Sequence, residues 1–303
     1  MEAAMPLPGR SARTNGSGLG PPPSRRSDSV SREDAKPSSA AGRIHIGIGG
    51  WTFEPWRGSF YPKGLPQVQE LAYASRCVTT IEINGTFYRT QTPKTFAKWA
   101  REVPDNFVFS VKAPRAVTMR RVLGETGEGI ERFMASGVAE LGEKLGPILW
   151  QLAPTHKYEP DDLARFLDLL PDELRGRTMS HALEVRHPSF ATPEFIAQLR
   201  ARNVAVVYAE HATYPEIADL TSDFVYARLQ KGRDEIPTAY PQTALEAWAR
   251  RLQMWAEGET PADLPLADRM TAAPRRTRDV FAYLIHEGKV RAPAAAEALI
   301  SRL

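Results

Sequence analysis

Eight short β-prone segments alternate with helix-length stretches from Ile44 to the C-terminus, and that order admits few folds. The segments are 44–50, 79–84, 107–112, 147–152, 181–186, 204–210, 223–229 and 279–285. Helical spacing follows near 66–76, 93–101, 127–144, 159–170, 193–202, 243–257 and 294–302, with a short, poorly defined helical piece after Tyr214. Strands alternating with helices imply an α/β fold with a parallel sheet, and eight such units close a (β/α)8 barrel of the TIM type, at roughly 250 residues for a single unit. An open doubly wound sheet with the same order is the alternative. Thr92 before Pro93 and Thr192 before Pro193 predict helix N-caps. The stretch from Glu257 to Arg278, rich in Pro, Ala and Asp, predicts a long surface loop with Arg275, Arg276 and Arg278 in solvent.

Five of the segments end in polar residues two positions apart: Glu82 and Asn84, Ser110 and Lys112, Glu184 and Arg186, Tyr208 and Glu210, Tyr226 and Arg228. Successive side chains of a strand point to opposite faces, so each pair shares one face, while Ile81, Ile83, Val111, Leu183, Val185, Ala227 and Leu229 share the other. A plain parallel sheet is apolar on both faces. Polar pairs repeated at strand ends therefore predict a site at the C-terminal rim of the barrel, where the active sites of this fold sit.

The chain before Arg43 has a different character. Pro6, Pro8, Pro21, Pro22, Pro23 and Pro37 lie among Ser, Gly and Arg with almost no large apolar residue, which predicts a disordered tail over 1–42. That segment holds 6 basic and 4 acidic residues, so 33 basic and 32 acidic residues remain for a barrel domain over 43–303. Such a nearly neutral body argues against coating nucleic acid through bulk charge, though local basic patches remain open. No apolar run approaches the roughly 20 residues needed to span a bilayer, no hydrophobic leader is visible, and the lone Cys77 leaves no internal disulfide framework. A cytoplasmic protein is the expectation.

At the rim, Glu82 and Glu184 offer two carboxylates as candidate acid and base, and Lys112, Arg186 and Arg228 offer three cations as a clamp for a phosphate or carboxylate. The competing view is that Glu82, Glu184 and Arg186 form a satisfied ion-pair network that only holds the barrel interior. Trp51 follows Gly47 and Gly49 on the same parity and should stand at the mouth with Tyr88 and Phe87, as ring faces for a sugar or base or as packing. The glycines match no dinucleotide or phosphate-loop fingerprint, and no organic cofactor is expected. His187 and His211 beside Glu184 and Glu210 could make a divalent metal site, but no H-E-x-x-H or paired-Cys spacing accompanies them.

The segments GIGGW with EPWRGSFYP, then EINGTFYR, KLGPILWQLAP, LEVRHPSF, DFVYARLQ and DVFAYLIHEGKVRAPAAA resemble, in order, the YecE-like family, also known as domain of unknown function 72. The likeness runs from Arg43 to Leu303 and implies a TIM-type barrel. It maps recurring family positions onto Trp51, Glu82, Asn84, Tyr88, Lys112, Gln151, Glu184, Arg186, His187 and Arg228. Two positions depart from the pattern. Leu284, Ile285 and His286 end the last strand where many members have an aromatic followed by Asp or Asn, and Glu210 stands where many have Asp.

Three functions fit these residues. The leading expectation is an enzyme in which Glu184 and Glu82 do acid and base work on an anionic small molecule oriented by Asn84, Tyr88 and Gln151, with Trp51, His187 and Glu210 also lining the substrate site. The others are a nucleic-acid-binding or processing protein using Arg115, Arg120 and Arg121 with Trp51 and Tyr88, and a non-catalytic barrel that senses a ligand or binds a partner.

Overall fold

The computed structural model of the chain describes residues 41–303. The tail expected over 1–42 lies outside the described residues except for Ala41 and Gly42, and Gly42 is already anchored, its N–H donating to the Ala256 carbonyl at 3.0 Å.

In chain order the elements are β1 (Ile44–Gly49), α1 (Glu70–Cys77), β2 (Thr80–Ile83), α2 (Gly85–Tyr88), α3 (Pro93–Glu102), β3 (Val108–Lys112), α4 (Arg115–Thr118), α5 (Gly127–Ala135), β4 (Leu145–Gln151), α6 (Pro160–Leu169), β5 (Glu173–Leu174), β6 (Arg177–Thr178), β7 (His181–Glu184), α7 (Pro193–Ala201), β8 (Ala205–Glu210), β9 (Phe224–Lys231), α8 (Gln242–Ala256), β10 (Asp279–Glu287) and α9 (Ala292–Ile300). Eight strands close a parallel barrel in the order β1-β10-β9-β8-β7-β4-β3-β2, which rules out the open sheet. The remaining two, β5 and β6, pair as a small antiparallel hairpin outside it. Thr92 and Thr192 cap as expected, each side-chain oxygen accepting from the N–H three residues on, at 3.2 and 3.3 Å.

Three differences from the sequence expectations have local causes. The helix anticipated over 127–144 stops at Ala135, because Gly137 (φ 101°) and Gly142 (φ 57°) take left-handed backbone that breaks it into a short α-helix and a 3₁₀ stretch. Among the described residues no helix joins β8 to β9, where a short helical piece is expected after Tyr214. In the loop before β10, Arg278 is buried rather than solvated, donating to the carbonyls of Ser222, Arg276 and Pro274 at 2.9 Å each. Three carbonyls around one guanidinium tie that loop to the start of β9.

The interior fills in layers, as small parallel barrels do. Near the N-terminal end His45 stacks on Phe281, with Phe224 edge-on to the same ring. Above them Tyr226 and Tyr283 project inward among Ala182, Ala205 and Ala209. The outward residues Ile81, Ile83, Val111, Leu183, Val185, Ala227 and Leu229 pack into the larger core beneath the helices. Four of the five polar pairs therefore face inward. The exception is β8, where Tyr208 packs outward against Trp248 and Trp255, and Glu210 shares its face. Bulky tyrosines on β9 and β10 fill that level of the interior, so β8 can present only Ala205, Val207 and Ala209 inward.

Candidate functional site

The strand register brings the charged residues to one level. Ser110 lies opposite Glu82 in the β2–β3 ladder, and Gln151 opposite Glu184 in the β4–β7 ladder. Arg228, from β9, reaches across the interior to both carboxylates. Its Nε and Nη2 donate to the two oxygens of Glu82 at 3.0 Å each, and Nη1 donates to Glu184 at 2.5 Å. Tyr226 OH donates to Glu82 at 2.8 Å and is itself 2.7 Å from Ser110 Oγ. Glu184 also accepts from Gln151 Nε2 at 2.9 Å and Arg186 Nε at 2.8 Å.

Both carboxylates are 0% exposed. Burial alone pushes the Glu184 carboxyl up, but the guanidinium groups of Arg228 and Arg186 and the Gln151 amide outweigh it and bring it down to about 2. The same carboxylates outweigh the burial of Arg228 and hold its guanidinium charged. Glu184 is thus held as an anion, and the oxygens of both carboxylates are occupied.

Lys112 is the odd member. It is 8% exposed, its ammonium lies 4.1 Å from the centre of the Phe87 ring, and no hydrogen-bond or ion-pair partner for it occurs among the described residues. Burial, with the nearby charge of Arg228, lowers its pKa to about 8, against the partial support of Glu82 and Glu184. Arg186 uses only Nε on Glu184, and its guanidinium packs over Tyr214 at 4.8 Å. Both of its terminal nitrogens remain available. Three cations on two carboxylates leave one net positive charge.

These cations open onto a cavity of about 410 Å³ whose walls include Lys112, Arg186, Arg228, Gln151, Gln230 and Tyr88, and no Asp or Glu among the described residues. Gln230 was not singled out in the sequence, although it continues the Tyr226 and Arg228 alternation once β9 extends to Lys231. Its Nε2 is buried and has no hydrogen-bond partner among the described residues. An orphaned buried amide is costly to keep, and one in a cavity wall marks a place where an acceptor can sit.

The other anticipated residues are spread around this centre. Asn84 and Tyr88 line the cavity, Tyr88 at 72% exposure. Trp51 lies to one side, edge-on to Trp99. His187 turns away, its Nδ1 2.8 Å from Ser189 Oγ, at the start of the short helix over Pro188–Phe190. Glu210 accepts from Tyr240 OH at 2.8 Å, apart from the cavity. No group of three or more His, Cys, Asp or Glu is arranged to hold a metal ion among the described residues, and His211 stacks on Tyr214 instead. Arg115, Arg120 and Arg121 are exposed. The side chain of His286 lies outside what is described.

The family model described as "Protein of unknown function DUF72" matches residues 45–303. The chain belongs to this family. The UPF0759 protein YunF of Bacillus subtilis is 27% identical over 160 residues, a match spanning 51% of this chain and 55% of that relative. The chain thus aligns with only about half the length of this curated relative. Among solved structures, a DUF72 family protein from Thermotoga maritima superposes with a TM-score of 0.65 at 22% identity, covering 85% of this chain and 97% of its own. One from Enterococcus faecalis gives 0.60 at 17% identity, covering 86% and 98%. At such identities the likeness is one of fold, and the fold agrees with the closed barrel. The departure at the end of β10 bears on the site: Leu284 and Ile285 make part of the cavity wall apolar. No helix among the described residues is long and apolar enough to cross a membrane.

Proposed function

We propose that this DUF72 barrel is an enzyme that binds a phosphate- or carboxylate-bearing substrate at its C-terminal mouth and moves a proton with Lys112. One observation carries the proposal: among the described residues the cavity wall holds several cations and no Asp or Glu, and one of these cations is a buried ammonium with no hydrogen-bond or ion-pair partner.

The division of labour follows from the pairing. Glu82 and Glu184 hold Arg228 in place before any substrate arrives, so its remaining N–H groups are preorganised for an anion and need no rearrangement. Arg186, tethered through Nε, presents its planar terminal nitrogens as a fork for two oxygens. Glu184, with a pKa of about 2, is a weak base near neutrality and serves as a positioning residue, as does Glu82, both of whose oxygens are taken by Arg228.

Lys112, with a pKa of about 8, can be occupied or empty of its proton at physiological pH. It is suited to taking a proton from a carbon or hydroxyl next to the bound anionic group. Gln230 Nε2 supplies a neutral donor for a substrate oxygen.

The test is solvent exchange. Pools of organic phosphates, hydroxy acids and oxo acids are incubated with the protein in D₂O and followed by NMR. The expected result is incorporation of deuterium into one substrate by the native protein and none by Lys112→Met. Exchange that persists in Lys112→Met contradicts the assigned role.

A further inference from the structure

The anion cavity has a neighbour of the same size. A second cavity, also about 410 Å³, shares Gly49, Asn84 and Lys289 with the first and extends from there towards the loop after β1 and the start of α3. Its walls differ in character. Trp51, Phe53 and Trp99 supply rings, Gln67 and Gln91 supply amides, and Arg89 is its one further cation. No Asp or Glu lines it among the described residues.

Bare backbone enlarges this chamber. A Cβ built on Gly50 meets no atom within 4 Å, and one built on Gly85 meets only Gln91 Nε2, at 3.8 Å. The side chains of Gln67 and Gln91 make no hydrogen bond within the described residues. Rings beside free amides over open backbone recognise a cyclic group with an apolar face and a hydrogen-bonding edge. A small inorganic anion would fill only the first chamber and leave the second unused.

We infer that the second chamber binds the ring of an organic anion whose phosphate or carboxylate sits among Lys112, Arg186 and Arg228. This rests on the anion site proposed above and narrows its substrate to a ring-bearing ester or acid. Asn84, in both walls, stands where the anionic group joins the ring. The ring can be a sugar or a nucleobase with its ribose, and both carry the required apolar face and polar edge.

Calorimetric titrations of the full chain separate the possibilities, with inorganic phosphate, glucose 6-phosphate and adenosine 5′-monophosphate as probes. Gly85→Leu occludes the second chamber alone, since Gly85 is absent from the first and a side chain there meets no close neighbour. Arg186→Ala disables the first. The expected result is that one organic phosphate binds at least tenfold tighter than inorganic phosphate. Gly85→Leu should then abolish that advantage and leave inorganic phosphate unaffected, while Arg186→Ala weakens both. Glucose 6-phosphate as the preferred arm identifies a sugar chamber, and adenosine monophosphate a nucleoside chamber. Organic phosphates no tighter than phosphate, or an advantage that survives Gly85→Leu, overturn the inference while phosphate binding keeps the anion site intact. Loss of all phosphate binding sensitivity to Arg186→Ala instead overturns the anion site.

Discussion

Arg228 and Glu82 face each other across the barrel interior, from β9 to β2, and meet through two parallel hydrogen bonds of 3.0 Å. A bidentate pair with both members buried is strong only while it is complete. Removing the cation leaves two carboxylates, Glu82 and Glu184, without their shared partner. Arg228→Leu is therefore expected to lower stability by about 3–5 kcal/mol, measured by urea unfolding. A loss under about 1 kcal/mol would mean the network is looser than its geometry.

Glu184 sets an acid limit. Its carboxyl falls from an ordinary 4.5 to about 2 on folding. A depressed folded-state pKa contributes stability that is complete above the unfolded value and is lost as the pH falls from 4.5 through 2. That contribution is about 3 kcal/mol, so unfolding midpoints should drop steeply across this window. In Glu184→Gln the drop should be shallower than in the native protein. Parallel curves would show that other carboxylates govern acid unfolding.

Lys112 has a linkage of the same sign in a higher window, but there it is the neutral form that folding favours. Its pKa is 10.5 when free and about 8 in the fold, so the unfolded chain binds the proton more tightly and stability should rise as the pH goes from 8 to 10.5. At pH 7 the buried ammonium is a cost. Lys112→Met should stabilise the protein by roughly 1–3 kcal/mol while abolishing catalysis, the exchange of stability for function expected of an active-site group. Destabilisation by Lys112→Met would indicate a partner for the ammonium that its surroundings do not supply.

Gln230 offers a second such exchange. Its orphaned Nε2 costs about 1–3 kcal/mol where it lies. Gln230→Met should raise the unfolding midpoint and weaken binding of the anionic substrate several-fold. A lowered midpoint with unchanged affinity would show that the amide is a structural residue.

Much of this was legible because strand periodicity carries chemistry. The alternation in TTIEIN, FVFSVK, HALEVR and FVYARL puts Glu82, Lys112, Glu184 and Arg228 on the inner face, as the barrel does. AVVYAE misled because Val206, Val207 and Tyr208 are all apolar enough for either face, and the choice was made by Tyr226 and Tyr283, which occupy the interior from other strands. The presence of two carboxylates and three cations was visible; their pairing was not. Which acid meets which base depends on barrel stagger, and that decides whether Glu184 is a poised base or an occupied anchor. Arg278 among the Arg residues of its loop, and Gln230 one turn of alternation beyond Arg228, were missed for the same reason: burial there is set by distant segments.

An anion site at the barrel mouth should be visible in a ³¹P NMR titration of inorganic phosphate with the full chain. Saturable binding should weaken at least tenfold in Arg186→Ala and should weaken in the native protein as the pH rises through about 8, where Lys112 gives up its charge. Phosphate that binds equally well to Arg186→Ala, or that does not bind to the native protein at all, would mean that these cations form no anion site.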